Sequence, residues 1–381
     1  MMLDIELLRI IWWVLMGVLL MGFAVTDGFD FGAAILLPLV AKDEIERRIV
    51  LNAIGPFWEG NQVWIILGAG AIFAAWPAVY AVAFSGFYLL MLLLLLTMGI
   101  SRPVSFKYRS KLPNVFWRRF WDWMVFVGGI FPAFIFGVLI GNVLIGVPFE
   151  FDEALRISYA GSLAGLFNPF SCWCGIMSIA MLAMHGGLYL AIKTQSPLRD
   201  RAIFWSRWMA LVVTFFFAIG GIWIAYIKGY LVISGADPHD FSNPLHKQVI
   251  PELGAWLDNY VRYPRSMAVP VLGFLGTLLA WLTARWGNSR FAFICSGLGI
   301  IGIIGTVGVS MFPFILPSSS HASSSLLVWD ASSGGLTLIT MLFAVIIFLP
   351  IILLYTAWVY RALRGKVSRE MIEQDENHTA Y

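Results

Sequence analysis

Nine apolar blocks, most of them about 20 residues or longer, dominate this chain. At a helical rise of about 1.5 Å per residue, a run of that length crosses a hydrocarbon core of about 30 Å. The blocks cover approximately residues 8–38, 52–75, 78–100, 121–146, 168–192, 203–227, 266–285, 290–314 and 336–361. The chain is 60% hydrophobic and 12% charged, against about 45–50% and about 25% in soluble domains. The expected fold is an all-α integral membrane protein of about nine transmembrane helices. It would form one polytopic domain over residues 1–361, as two four-helix bundles plus one peripheral helix, although no sequence repeat supports that division. The polar tail 362–381 is expected to fray. The first block lacks a basic leader and follows Asp4 and Glu6, so it reads as a retained helix and not a signal peptide.

Charge placement orients the helices. With the N-terminus outside, the inside segments hold 19 of the 25 Lys and Arg residues, among them Arg47, Arg102, Arg109, Arg201 and Arg364. Basic residues favour the cytoplasmic side, so the C-terminus is expected to be cytoplasmic. The net charge of +3 is small and no basic run suggests a nucleic-acid surface. The outer loop 228–265 has four prolines and reads as ordered or semi-ordered. The Ser- and Gly-rich segment 315–335 contains Leu326, Leu327, Val328 and Trp329, which points to docking at the membrane interface. Trp12, Trp13, Trp76, Trp117, Trp121, Trp123, Trp286, Trp329 and Trp358 recur near span ends and read as an interfacial belt.

Two polar islands interrupt the apolar blocks: TDGFDFG at residues 26–32 and GPFWEGNQVW at residues 55–64. Ionisable groups in hydrocarbon are costly and mark function by default. Asp27 and Asp30 are three apart and share a helix face. Glu59 lies about 12 Å along the second span, a depth similar to that of Asp30. The three carboxylates could line one polar track between the first two helices. Neither helix interior offers a Lys or Arg, so each acid must be protonated, hydrated, or paired with another helix or subunit. With Thr26, Asn61 and Gln62 nearby, proton transfer is one reading and helix knitting the other. Trp58 and Trp64 read as core packing, or else as contacts to a quinone ring or redox partner.

Haem ligation inside a membrane needs imidazoles, or an imidazole and a thioether. Only His185 falls inside a span; His239, His246 and His321 lie in outer loops and His378 in the tail. Gly186 and Gly187 follow His185, so a hydrogen-bonded histidine at a helix interface is favoured over a ligand. No other metal residue is expected. Cys172, Cys174 and Cys295 read as small core residues. Pro313 and Pro317 mark the stop of the eighth helix. No phosphate-binding loop, dinucleotide fingerprint or HExxH is present.

The motifs as a set resemble subunit II of the cytochrome bd-type quinol oxidases, including the cyanide-insensitive variants. They are LLRIIWWVLMGVLLMGFAVTDGFDFG (7–32), ERRIVLNAIGPFWEGNQVW (46–64), FAAWPAVYAVAFSGFY (73–88), RPVSFKYRSK (102–111), GNVLIGVPF (141–149), MFPFILPSS (311–319), LVWDASS (327–333) and LPIILLYTAWVY (349–360). The resemblance implies a haem-free subunit beside a haem-bearing subunit I in the bacterial cytoplasmic (inner) membrane. Subunit I would carry two haems b and haem d and oxidise quinol, reducing oxygen to water. This chain would stabilise that partner, help supply cytoplasmic protons and, as in some members, hold a quinone. A small single-helix subunit and membrane lipids are further implied partners. Asp27, Asp30 and Glu59 match acidic positions of the family, many members having Asp where Glu59 stands. Trp64 matches a tryptophan near a proposed oxygen route. The chain is not expected to be catalytic alone. The competing readings are an ion-coupled transporter, which should show an internal repeat with interrupted helices, and a purely structural scaffold without proton conduction.

Overall fold

The computed structural model describes residues 4–374. Long helices form where the apolar blocks lie: α1 Ile5–Val40, α5 Tyr88–Lys111, α6 Val115–Ile145, α7 Pro169–Lys193, α8 Leu198–Ile224, α9 Pro264–Arg285, α10 Ser289–Met311 and α11 Gly335–Ala362. Among the described residues these eight are long and apolar enough to cross a membrane, and the count is nine if a bent pair is taken as one span. The amphipathic α2, Glu44–Ile54, precedes that pair. The pair itself is α3, Trp58–Ala75, and α4, Pro77–Gly86, at 119° to each other. Its boundaries differ from those expected. Gly55 and Pro56 separate α2 from α3, and Trp76 and Pro77 turn the chain sharply. α5 runs on to Lys111, past the expected end at residue 100.

α1 has 36 residues, or about 54 Å of helix, more than one crossing needs. It is the central helix, touching α3, α6, α7, α8, α10 and α11. Apolar side chains drive no association between helices already surrounded by lipid, so close backbone approach must do it. A Cβ on Gly32 of α1 would collide with the Leu182 carbonyl of α7, and one on Gly186 would collide with the Ala33 amide. α9 and α10 meet the same way, through Gly273 and Gly276 against Gly302 and Gly299. α11 is the outlier: Leu338 is its one buried residue.

Charges tie the two ends of the molecule. At one end Arg109 and Arg118 bind Glu44 at 3.1 and 3.3 Å, Arg47 binds Asp122 at 3.4 Å and Arg201 pairs with Glu46. The tail does not fray here. Val367 donates its amide to the Lys193 carbonyl, Arg369 reaches Asp43, and the short helix α12, Arg369–Glu373, buries Ile372 on α2. Residues 375–381, with His378, lie outside the described residues.

At the other end three antiparallel pairs form a cap: β1 Phe149–Phe151 with β2 Ile157–Tyr159, β3 Lys228–Ser234 with β4 Gln248–Leu253, and β5 Phe314–Leu316 with β6 Leu326–Leu327. Arg9 and Lys247 are 2% and 4% exposed there. Arg9 donates to Ser332 and to the Pro238 and Asp240 carbonyls. Lys247 sits 2.7 Å from Asp330. Burial pushes the Asp330 carboxyl up and the Lys247 amine down, each partly opposed by the other's charge. Leu326, Leu327 and Val328 are fully buried within this cap rather than at a lipid interface. Trp12, Trp76 and Trp329 are likewise core residues, whereas Trp123, Trp286 and Trp358 are exposed as a belt requires.

Gly186→Leu should abolish accumulation of the folded chain in membranes, because the clash is with backbone and overpacking alone costs about 1–3 kcal/mol. Gly17→Ala has nothing within 4 Å of the new Cβ and should stay within about 0.5 kcal/mol of wild type. Thermal unfolding and immunoblotting of membrane fractions check both.

Candidate functional site

Asp27 and Asp30 lie one helical turn apart on α1 and are fully buried. The counter-ion comes from a third helix. α5 passes through a π-helical stretch, Leu95–Ser101, directly before Arg102. Arg102 is itself fully buried and donates from Nη2 to Asp27 Oδ1 at 2.7 Å. Its guanidinium carbon stands 4.3 Å from the centroid of the Phe31 ring. Gly128 of α6 makes the room, since a Cβ there would be 2.9 Å from the Arg102 Cβ. Arg102, expected among the basic residues of an inside segment, is instead buried in the core. Its one visible signal is the RP pair at the edge of an apolar block.

Asn61 serves the second acid. Its Nδ2 donates to Asp30 Oδ2 at 2.8 Å and to the Thr26 carbonyl at 3.2 Å. Its Oδ1 accepts from the Tyr360 hydroxyl of α11 at 2.8 Å. Tyr360 stacks on Phe57 at 4.8 Å, and Tyr189 stacks on Phe29 at 4.0 Å. Asp27 Oδ2 and Asp30 Oδ1 have no hydrogen-bond donor among the described residues. The cluster is therefore a buried, aromatic-walled network of two acids, one guanidinium, an amide and a phenol. In it each carboxylate keeps an oxygen able to take a proton. Tyr360 escaped sequence reasoning because it lies in a block that otherwise reads as plain hydrocarbon.

Glu59 does not join this cluster, and the single track of three acids expected from depth alone does not form. Its side chain is 64% exposed and meets Lys107 of α5 at 3.4 Å. A helix turns about 100° per residue, so Asn61 faces inward while Glu59, two residues earlier, faces out. Gln62 is half-buried and donates to the Met98 carbonyl at 3.4 Å. Trp58 stacks on Phe106 at 5.9 Å, and Trp64 packs over Gly22, where a Cβ would come within 2.9 Å of the indole.

His185 is fully buried with both ring nitrogens engaged. Nδ1 is 2.6 Å from Ser296 Oγ, Nε2 is 3.0 Å from the Val25 carbonyl, and Phe293 stacks on the ring at 4.3 Å. Both ring nitrogens of His185 are thus held by partners on neighbouring helices, the hydrogen-bonded helix-interface arrangement.

The description "Cytochrome bd terminal oxidase subunit II" belongs to a family whose pattern matches residues 8–363. The chain belongs to this family. It is 47% identical over 381 residues, the whole of both chains, to cytochrome bd-I ubiquinol oxidase subunit 2 of Escherichia coli. It is 46% identical over 380 residues to a probable cytochrome oxidase subunit 2 of Haemophilus influenzae, with both chains fully covered. With cytochrome bd ubiquinol oxidase subunit 2 of Bacillus subtilis it shares 30% over 360 residues, which is 94% of this chain and 97% of the relative. Its fold matches a chain in the structure of bd oxidase from Geobacillus thermodenitrificans, with a TM-score of 0.67 and 16% identity over 93% of this chain and 98% of that one. The protein is thus a multi-pass membrane subunit of an oxidoreductase complex, and the transporter reading falls.

Arg102→Leu should leave Asp27 buried without its counter-ion and cost about 3–5 kcal/mol. Adding Asp27→Asn should recover more than half of that loss. A double-mutant cycle on the detergent-solubilised complex, followed by thermal unfolding, measures the coupling.

Proposed function

We propose that this chain is the haem-free subunit of a quinol-oxidising, oxygen-reducing complex, and that Glu59 takes up cytoplasmic protons at the contact with a haem-bearing subunit I. The observation that carries this is the outward stripe of α3. Its exposed positions are Glu59, Gly60, Val63, Ile66, Gly70 and Phe73, and all but Gly60 follow the four-then-three interval of one helix face. A carboxylate heading an apolar, membrane-facing stripe is expensive against lipid, and a partner's polar groups would relieve that cost. Ubiquinol is the substrate named for the Escherichia coli and Bacillus subtilis relatives, and the same class of quinol is proposed here. Two haems b and haem d of the partner would supply the redox chemistry. A quinone held by this chain and a small single-helix subunit are further parts of the proposal.

The charge-rich end, with Arg47, Arg109, Arg118 and Arg201, is taken as cytoplasmic, in the bacterial inner membrane, with the β-paired cap outside. Glu59 opens α3 next to that end, so water can deliver protons to it. Asp27, Asp30 and Asn61 then have a second role. They hold α1, α3, α5 and α11 in register behind the docking face, and any proton they pass would be stored at the unpaired carboxylate oxygens. Gln62 and Trp58 keep α3 against α5, and Trp64 packs α3 onto α1 at Gly22.

In the intact complex, Glu59→Gln should lower quinol-driven oxygen consumption roughly tenfold or more with an unchanged reduced-minus-oxidised haem spectrum. A positioned proton-transfer group typically contributes about 10²-fold, and water reaching a surface site would soften the loss. Glu59→Asp should retain most activity. Wild-type turnover in the Gln variant would end the proton-uptake reading, and haem loss with normal turnover per remaining haem would leave the scaffold role.

A further inference from the structure

We propose that the corner between α8 and α9 binds the phosphodiester headgroup of an anionic phospholipid. Arg207 of α8 and Arg285 of α9 hold their guanidinium carbons 6.0 and 5.9 Å from the centroid of one indole, Trp281. Two like charges converging on one ring repel each other, and the cation–π attraction of a single indole offsets this only in part. Neither arginine has an ion pair among the described residues. The acids nearest this end are committed elsewhere, Glu46 to Arg201, Glu44 to Arg109 and Arg118, and Asp122 to Arg47 and Arg109. On α8 the remaining carboxylate is Asp200, about 10 Å of helical rise from Arg207 and exposed.

Depth adds a second constraint. Arg207 is nine residues into α8, about 14 Å from the helix start, and its Nε is buried with no hydrogen-bond partner among the described residues. An arginine at that level has to find an anion or extend its head toward the interface. Its surroundings are those of a lipid-facing wall: Phe204 and Trp208 on α8 are each 53% exposed, and Leu278 on α9 is 41% exposed. A phosphodiester supplies the missing negative charge and accepts the forked N–H groups of two guanidiniums. The acyl chains of the same molecule would cover the apolar wall. A soluble phosphate satisfies only the first requirement, so the lipid is the occupant the corner fits. The site is independent of proton uptake at Glu59.

The test uses the whole complex in nanodiscs of equal dioleoylphosphatidylglycerol and dioleoylphosphatidylcholine, with native mass spectrometry counting the lipids retained on release. Wild type should retain phosphatidylglycerol preferentially. Arg207→Gln combined with Arg285→Gln should reduce that preference about fivefold or more, with the reduced-minus-oxidised spectrum unchanged. Arg364→Gln with Lys366→Gln, two exposed charges of the tail, should leave it intact. Equal retention by the corner variant, or an equal loss in the tail variant, overturns the site. Displacement of the bound lipid by excess inorganic phosphate also overturns it, in favour of a free-phosphate site. If the corner variant fails to assemble, hydrogen exchange of wild type over residues 278–290 decides. Slower exchange in phosphatidylglycerol than in phosphatidylcholine discs supports the proposal, and identical exchange refutes it.

Discussion

The ion pair between Asp27 and Arg102 is the constraint that most of the membrane domain has to satisfy. Two fully buried charges cost several kcal/mol each to dehydrate, and their attraction repays this only when geometry and hydrogen bonding are good. Much of the local structure reads as provision for that geometry. The π-helical turn re-aims α5 just before Arg102, Gly128 clears space for its stem, and Phe31 offers a ring face to its guanidinium. Asp30 sits one turn away and would repel Asp27 if both were ionised without relief. Asn61 brings α3 in to hydrogen-bond it, and Tyr360 of α11 hydrogen-bonds Asn61 in turn. A costly pair of charges thus specifies how four helices meet, whereas apolar contact alone would leave their register open in lipid.

Close glycine contacts do the complementary work. Where α1 crosses α7 at Gly32 and Gly186, backbones touch, and the short interaxial distance brings His185 within reach of the Val25 carbonyl. The same crossing sets the phase of α1, so Asp27 and Asp30 point away from lipid. Packing and polar pairing are therefore coupled, because shifting either helix by one residue would expose the acids.

Apolar block length was enough to read the all-α membrane fold and the placement of nearly every long helix, since hydropathy reports directly on the solvent each segment meets. It failed where chain direction changes without a change of polarity. Trp76 and Pro77 bend an apolar stretch by 119°, and α5 continues past residue 100 because the charge of Arg102 is neutralised in the core instead of hydrated. Of the site, the acids were legible as polar residues in hydrocarbon. Their partners were not, because Arg102 is 75 residues from Asp27 and Tyr360 is 299 residues from Asn61, to which each hydrogen-bonds, and neither carries a local pattern. Depth along a helix was a poor guide to company: Glu59 and Asn61 share a turn and face opposite surroundings.

That separation divides the labour among the acids. Asp27 and Asp30 are enclosed by aromatic rings and by helices tied to one another, so changing their charge disturbs the pairing that holds those helices. Such groups are poorly suited to rapid exchange with water. Glu59 has the opposite character: it is exposed, lightly paired with an equally exposed Lys107, and removable without opening the core. A carboxylate that must load and unload protons belongs at such a place, provided a second protein surface closes over it and lowers the local dielectric when the complex forms. The buried acids then act through rigidity. They hold α3 and α5 against α1, so on the proposed docking the outward stripe that begins at Glu59 would take its geometry from them.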